Sequence, residues 1–565
     1  MTKPTPLRVG LLLDSYVVPA WLAALLRDIQ SDACAEIALV VLHDARTDGA
    51  AASAPPRPGI VGKISRLLSG KTQVNKYLYQ KYSEWDQRRV TLNPDPHPDV
   101  DMTAELRGVE SMSVVPITDR FIHRFHDADV ARIRSAHLDV LLRFGFNIIK
   151  GPILESAKYG VWSFHHGDNQ QIRGGPAYFW ELYFDQPLSG IVLQVLSEKL
   201  DAGRILYRSY ASTERGSSMR LNGASSFWKG SSFVIRRLRQ LHTHGWEWMQ
   251  KELPTFKEDP KQQGKIFRLP TNGKMVRFAA KSVWRNLQKR RRNFGKMEQW
   301  FVAFRKRGAS SYTPVASPRD HYYADPFLIE RDGRTFLFFE DFLFKTNRGV
   351  LAVAELKADG AVSPATTVLD LPYHLSYPFV FEHDESMYMI PESASNRSVD
   401  LYRAQQFPDK WEQVKTLQSD VRAYDVTLHV QDGVYWFFAN MVERGTASSD
   451  ELFLFSANSL TGEWTPHPMN PIVSDVRRSR PAGKLFKRDG KLMRPSQDCS
   501  LSYGGAIQLN EVLVLSKTHY EERPVSRIDP DWAPELVGTH TINSSEHFET
   551  IDGRRLVPAS AVLNR

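Results

Sequence analysis

Residues 324–341 read ADPFLIERDGRTFLFFED. Two apolar runs flank Asp332-Gly333, and an Asp-Gly pair supplies the positive-φ positions of a tight β-hairpin. The texture returns as SYPFVFEHDESMYMIPES at 376–393, YDVTLHVQDGVYWFFAN at 424–440 and RPAGKLFKRDGKLMRP at 480–495. Asp325, Tyr377, Asp425 and Pro481 stand second in the four units, with the turn Asp following 7, 7, 7 and 8 residues later. The units start 52, 48 and 56 residues apart, and a weaker fifth is expected through YGGAIQLNEVLVLSKTHYEE at 503–522. Repeats of about 50 residues with several short strands predict propeller blades. The expectation is an all-β five-bladed propeller over 313–565, its marked positions on inner strands facing the axis.

Asp325 and Asp425 would then converge on that axis, where charge is costly without partners or ligands. They either cap hairpins through backbone N–H groups or serve a site. Arg480 and Arg494 are forked donors suited to phosphate or carboxylate. They are either structural or hold a phosphate-activated sugar.

The segment 7–13, LRVGLLL, predicts a buried strand, WLAALLRDIQ a helix and IALVVLHD a second strand. This β-α-β start predicts a parallel sheet covered by helices, and no G-x-G-x-x-G sits in its first turn. Residues 50–95 have the composition of an insertion or long loop. The alternation resumes at DADVARIRSAH, LDVLLRFG and GVWSFHHGD, and the last strand ends on polar residues. Ligands of open α/β sheets collect at such carboxyl ends. His165 there and Asp201 in a Leu-Asp-Ala-Gly turn suit proton transfer, or else cap a strand and a turn.

Between the two regions, 213–312 is expected to be a basic helical connector, leaving 1–212 as the α/β domain. From Arg277 to Arg307 there are eleven Lys or Arg and one acid, Glu298, interleaved with Val283, Trp284, Leu287, Phe294, Trp300, Phe301 and Phe304. Three readings stay open. The segment is a linker helix docking its aromatics, an amphipathic helix on an anionic membrane, or a nucleic-acid patch, the last the least favoured.

The chain has 565 residues, 42% of them apolar and 24% charged, with a formal net charge of +9. That length predicts two or three domains, and the composition excludes a mainly disordered chain. Cys34 and Cys499 are too few for a disulfide framework or a Cys-based zinc site, and no metal is expected. Asp14 interrupts the N-terminal apolar run, and no window holds 18 uninterrupted apolar residues. A cytoplasmic protein, peripheral to the inner membrane if the basic segment binds lipid, is the expectation.

Two resemblances add to this. Residues 5–210, most clearly 139–206, resemble formyltransferases that use 10-formyltetrahydrofolate, including those acting on amino-sugar nucleotides. His165 and Asp201 stand 36 residues apart as in that family, and Arg173-Gly174 falls where its Arg-Gly falls. The resemblance implies a Rossmann-like fold, the folate as cofactor, His165 as acid/base, Asp201 as its partner and Arg173-Gly174 in substrate binding. Ser163 replaces the family's oxyanion-stabilising Asn, and losing one such donor typically costs about 10²–10³ in rate. Residues 167–171, Gly-Asp-Asn-Gln-Gln, replace its Ser-Leu-Leu-Pro loop.

Residues 315–525 resemble family-43 glycoside hydrolases. More closely, YYADPF, FFED, HLSYPFVFE, YMIPES, RPAG and RPSQDCSLSYG occur in the order found in the propeller domain of glucosamine inositolphosphorylceramide transferases. In family 43 a blade-one Asp is the general base, a blade-three Asp tunes the acid, and a blade-four Glu is the acid. Asp325 and Asp425 match the first two; Arg480-Pro481 takes the acid's place. Glu392 is a substitute acid on another blade, and Arg480, Arg494, Gln497 and Asp498 complete the expected substrate-binding set.

Three functions follow as expectations. The first is N-formylation of an amino-sugar nucleotide, with the propeller binding sugar nucleotide or glycan. The second is glycosyl transfer or glycan processing by the propeller beside a degenerate formyltransferase domain. The third is a non-enzymatic glycan-binding scaffold.

Overall fold

A computed structural model describes residues 5–44, 75–119, 121–199, 203–214, 216–253, 255 and 266–562. Asp201 and residues 50–74 of the expected insertion lie outside them; 77–89 of that segment is a helix, Tyr77–Arg89. The chain divides into two compact units, Met1–Val283 with Arg444–Thr446, and Trp284–Glu443 with Ala447–Arg565.

The first unit holds a seven-stranded sheet. Its order is Arg204–Ser212, Leu188–Val195, Val161–His165, Val140–Arg143, Leu7–Leu13, Ala35–His43 and Glu110–Val114. The last five run parallel; the two edge strands from 188 to 212 are antiparallel, so the sheet is mixed rather than parallel throughout. Alternation explains why Leu7–Leu13 is apolar along its length. Val9, Leu11 and Leu13 enter one core with helices Ala20–Ser31 and Met219–Glu252, while Leu12 enters the opposite core with Phe146, Ile149 and Ile153.

The helix Met219–Glu252 corrects the expected boundary at 212. Phe233, Val234, Leu238 and Leu241 are buried with the sheet residues Ile191, Leu193 and Leu206, so this helix is a layer of the α/β unit and not a connector.

The second unit is five antiparallel sheets. Blade one is His321–Arg331, Arg334–Leu343, Arg348–Leu356 and Thr366–Leu369. Blade two is Ser376–His383, Ser386–Glu392, Ser398–Gln406 and Lys410–Ser419. Blade three is Ala423–Gln431, Val434–Met441, Leu452–Ala457 and Thr465–Pro466. Blade four comprises Arg480–Pro481, Phe486–Arg488, Lys491–Asp498, Ala506–Leu515 and Tyr520–Ile528. The segment 503–522 therefore completes blade four, correcting the expected fifth repeat.

Blade five joins distant segments. Lys296–Lys306 pairs along its whole length with Phe548–Pro558, and Thr313–Pro314, Leu536–Gly538 and Ile542–Ser544 complete it. The propeller thus begins before 313. Trp300, Phe301 and Phe304, expected on the basic connector, are buried core residues of a strand. The ring closes because Asn543 donates its side-chain amide to the Pro326 carbonyl of blade one at 2.7 Å, and accepts from the Lys484 backbone N–H of blade four at 2.8 Å.

Candidate functional site

Three inner strands turn the same position toward the axis by the same device. The pairing register shifts between Ala324 and Phe327, between Ser376 and Phe379, and between Tyr424 and Thr427. Each shift is a bulge, and its first residue is left-handed: φ is +50° at Asp325, +46° at Tyr377 and +53° at Asp425. Such backbone costs about 1–3 kcal/mol at a non-glycine residue and persists where the surroundings over-determine it.

Asp425 is held from blade four. Arg480 Nε donates to its Oδ2 at 2.6 Å and Nη2 to its Oδ1 at 3.3 Å. Gln497 Nε2 donates to the same Oδ2 at 2.8 Å. Arg480 Nη2 also reaches Glu392 Oε2 at 3.3 Å, and Nη1 the Ser448 carbonyl at 2.9 Å. Burial and the Asp425 carboxylate push Glu392 well above the usual carboxylate range, against the pull of Arg480.

Asp325 is held from blade five. Thr541 donates its hydroxyl to Asp325 Oδ1 at 2.6 Å, and His540 Nε2 stands 3.7 Å from the same oxygen. The other ring nitrogen, Nδ1, meets Asp552 Oδ2 at 2.5 Å, and that carboxylate accepts the backbone N–H groups of Asp325, His540 and Thr541. Burial, opposed by His540 and reinforced by Asp425 and Asp552, pushes Asp325 up to about 6. Despite its burial, His540 is held above the ordinary imidazole value by Asp552 and Asp325. Glu340 of blade one is driven well above the carboxylate range by burial, then by Asp325, Asp552 and Asp425.

The floor is thus five buried carboxylates, Asp325, Glu340, Glu392, Asp425 and Asp552, set against Arg480 and His540. So much buried negative charge favours protonation, and it raises the proton affinity of Glu340 and Glu392 in particular. Half-exposed rings stand around this floor. Tyr424 and Tyr503 lie 5.0 and 4.9 Å from the Arg480 guanidinium, Tyr503 being 42% exposed, and His374 Nε2 lies 3.6 Å from Glu340 Oε1. A polar floor under aromatic walls is the make-up of a small-molecule site.

The sequence named Asp325, Asp425, Glu392, Arg480 and Gln497, and these converge. It missed Glu340, His540, Thr541, Asp552 and Tyr503. Glu340 and Tyr503 stand in the quoted FFED and RPSQDCSLSYG runs, but the blade-five residues His540, Thr541 and Asp552 lie beyond the last repeat, where no motif marked them.

Two expected binders are corrected. Arg494 is buried with its fork on Glu522, at 2.7 and 2.8 Å, and on the Arg478 carbonyl at 2.8 Å. Asp498 pairs with Arg527 and caps the Ser500 N–H. Neither Arg480 nor Arg494 offers its fork to a phosphate, because carboxylates already occupy both. No metal was expected, yet Asp325, His540 and Asp552 each bring a ligand atom within 4.8 Å of the other two. Of these atoms, Asp325 Oδ1 accepts from Thr541, and Asp552 Oδ2 accepts the Asp325 N–H and meets His540 Nδ1.

In the first unit, Ser163 and His165 line one cleft with Arg143, Gln194 and Lys199. Arg143 Nη1 donates to Ser163 Oγ at 3.0 Å, and His165 Nε2 lies 3.1 Å from the Ile172 carbonyl. The Gln194 carboxamide lines this cleft opposite Ser163 on the neighbouring strand, and protein groups engage both Ser163 and His165. Arg173-Gly174 pairs with Ile266–Phe267 as a two-residue strand. Gly174 has φ +85°, and a Cβ there would sit 2.2 Å from the Phe267 carbonyl oxygen. Packing alone therefore demands glycine at this position.

Residues 287–531 match the family model "Glucosamine inositolphosphorylceramide transferase 1, N-terminal". Proteins named glucosamine inositolphosphorylceramide transferase 1 are 37% identical over 238 residues in Oryza sativa subsp. japonica and 32% over 246 in Arabidopsis thaliana. These matches cover 39% and 43% of this chain and 32% and 31% of the relatives, so the chain spans about a third of their length. A methionyl-tRNA formyltransferase of Bacillus cereus is 27% identical over 120 residues, covering 21% of this chain and 35% of that protein. Among solved structures, a β-xylosidase aligns with a TM-score of 0.31 at 13% identity, over 40% of this chain and 84% of its own. A family 117 glycoside hydrolase of Zobellia galactanivorans also gives 0.31, at 11% identity, over 47% and 93%.

Proposed function

We propose that this protein is a carbohydrate-active transferase whose chemistry sits at the propeller axis, moving a sugar from an activated donor to an acceptor hydroxyl. The observation that carries this reading is the meeting of Asp325, Asp425 and Glu392 with Arg480 on one buried floor, drawn from four blades. The match of 287–531 to a transferase family model supports it.

Asp325 is the general base. With its carboxyl pushed up to about 6, it is mostly ionised at pH 7 yet basic enough to take the acceptor's proton. Asp425, fixed by Arg480 and Gln497, is a negative charge facing the sugar, suited to an anomeric centre that becomes oxocarbenium-like. Glu392, whose proton affinity is raised by burial and by Asp425, is the candidate donor to a leaving group that needs a proton. The leaving group is not gripped by Arg480 or Arg494, which revises the phosphate-clamp expectation. N-formylation in the first unit is the less supported reading, and that unit is read as a degenerate formyltransferase domain.

The test is transfer by the full chain from labelled UDP-glucose, UDP-N-acetylglucosamine and GDP-mannose to a panel of glycan and glycolipid acceptors. Asp325→Asn should lower product formation by about 10²–10⁴, and His165→Ala should leave it unchanged. Formylated product from labelled 10-formyltetrahydrofolate and an amino-sugar nucleotide, lost in His165→Ala, would return the activity to the first unit.

A further inference from the structure

The glycosyl-transfer reading makes no use of the most basic element of the chain, the helix Asn272–Asn293. It holds eight Lys or Arg and no Asp or Glu. Met275 and Phe278 are buried with Ile172, Phe179, Trp180 and Leu182, which fixes the inward face of its first turns. The other face is apolar and outward. Val276, Val283, Trp284 and Leu287 are each at least 50% exposed, and Phe294, just past the helix end, is 86% exposed.

Helical geometry gathers these residues into a stripe. At about 100° per residue, Val276, Ala280, Val283 and Leu287 fall within about 60° of one another, with Trp284 at one border. Arg290 and Arg291 flank the stripe about 50° to either side of its centre, and both are exposed. The helix is not apolar enough to cross a bilayer. An apolar stripe bordered by basic side chains is the pattern of a helix lying in the bilayer plane.

We infer that this helix docks the protein on an anionic lipid bilayer, with Val276, Val283, Trp284 and Leu287 entering the acyl boundary and Lys289 to Arg292 meeting the headgroups. Charge complementarity selects that partner. A second copy would bring sixteen like charges together across the stripe with no acid on either helix. A nucleic acid would engage the arginines and leave the stripe in water. A bilayer with acidic headgroups accommodates both features.

The experiment is co-sedimentation of the full chain with extruded vesicles of phosphatidylcholine and phosphatidylserine (70:30), or phosphatidylcholine alone, in 50 and 500 mM salt. Binding is expected on the mixed vesicles at 50 mM, weakened at 500 mM and absent without phosphatidylserine. Arg290→Gln with Arg291→Gln should weaken it about thirty-fold. Val283→Ser with Leu287→Ser should weaken it at least about tenfold at unchanged charge. These positions are exposed, and far-UV circular dichroism should confirm an intact fold in each variant.

Absence of binding to the mixed vesicles at 50 mM would overturn the inference. So would binding that the serine pair leaves unchanged, tighter binding of a 20-nucleotide RNA, or a dimer that the serine pair dissolves. None of these readouts depends on sugar transfer, so this inference and the proposed activity can fail separately.

Discussion

Replacing Arg480 with Met asks whether charge holds the axis together. The guanidinium is buried and donates to Asp425 at 2.6 and 3.3 Å and to Glu392 at 3.3 Å. Met keeps much of the volume and removes the charge, leaving Asp425 without its counter-ion. Breaking a buried pair from one side costs about 3–5 kcal/mol, because the remaining charge stays desolvated. At about 2–4 °C per kcal/mol for a unit near this size, melting of the propeller should fall by about 6–20 °C. Calorimetry of the full chain reads the shift. Hydrogen exchange of peptides spanning 423–441 and 480–498 assigns it to the propeller. Adding Asp425→Asn should recover at least half of the loss, since no uncompensated charge is then buried and Gln497 keeps an acceptor. An Arg480→Met shift under about 2 °C, or a double variant whose loss is the sum of the two singles, would refute the reasoning.

Further outcomes follow from the same geometry. Asp325→Asn should lower transfer by about 10²–10⁴, and the wild-type rate should fall on the acid side with an apparent pKa near 6, read from kcat/KM against pH. The same carboxyl binds its proton more tightly folded, at about 6, than unfolded, at 3.8. Its contribution to stability therefore declines as pH rises from about 4 to 6, and Asp325→Asn should flatten that slope in denaturation series. Arg494→Met breaks the buried pair with Glu522 and should lower melting by a similar 6–20 °C while leaving kcat and KM unchanged below the transition. Tyr377→Phe removes the acceptor of the Gly483 N–H at 2.7 Å and should cost about 1–3 kcal/mol, measured by denaturant unfolding.

Much of the propeller is legible because its information is local. Asp332-Gly333, Asp432-Gly433 and Asp489-Gly490 mark hairpins by backbone conformation alone, with each of these glycines at positive φ. The repeat spacing then places Asp325, Tyr377 and Asp425 in one register. Blade five escapes this reading, because its two long strands, Lys296–Lys306 and Phe548–Pro558, are separated by more than 240 residues, and the one Asp-Gly pair they hold, Asp552-Gly553, lies within a strand and not at a turn. Lys296–Lys306 also follows a dense basic run, so its buried aromatics pass for the apolar side of a helix. Pairing partners decide that Trp300, Phe301 and Phe304 are core. For the same reason Arg494 misleads: its residue type suits a phosphate, but the partner on the next-but-one strand, Glu522, determines what its fork does.

The departure at blade four follows from one backbone constraint. Proline fixes φ near −65°, so Pro481 cannot take the left-handed bulge that presents Asp325, Tyr377 and Asp425 to the axis. Arg480, one residue earlier, reaches the axis in its place and ties Asp425 down as an ion pair. A blade that supplies a cation cannot supply the proton that a poor leaving group needs. The proton must come from a carboxyl whose proton affinity its surroundings raise, and burial and Asp425 drive Glu392, in contact with Arg480, in that direction. If Glu392 donates that proton, Glu392→Gln should retain turnover of donors whose leaving group needs no protonation and lose it for those that do. Equal loss for both classes would instead assign Glu392 to holding Arg480 in place.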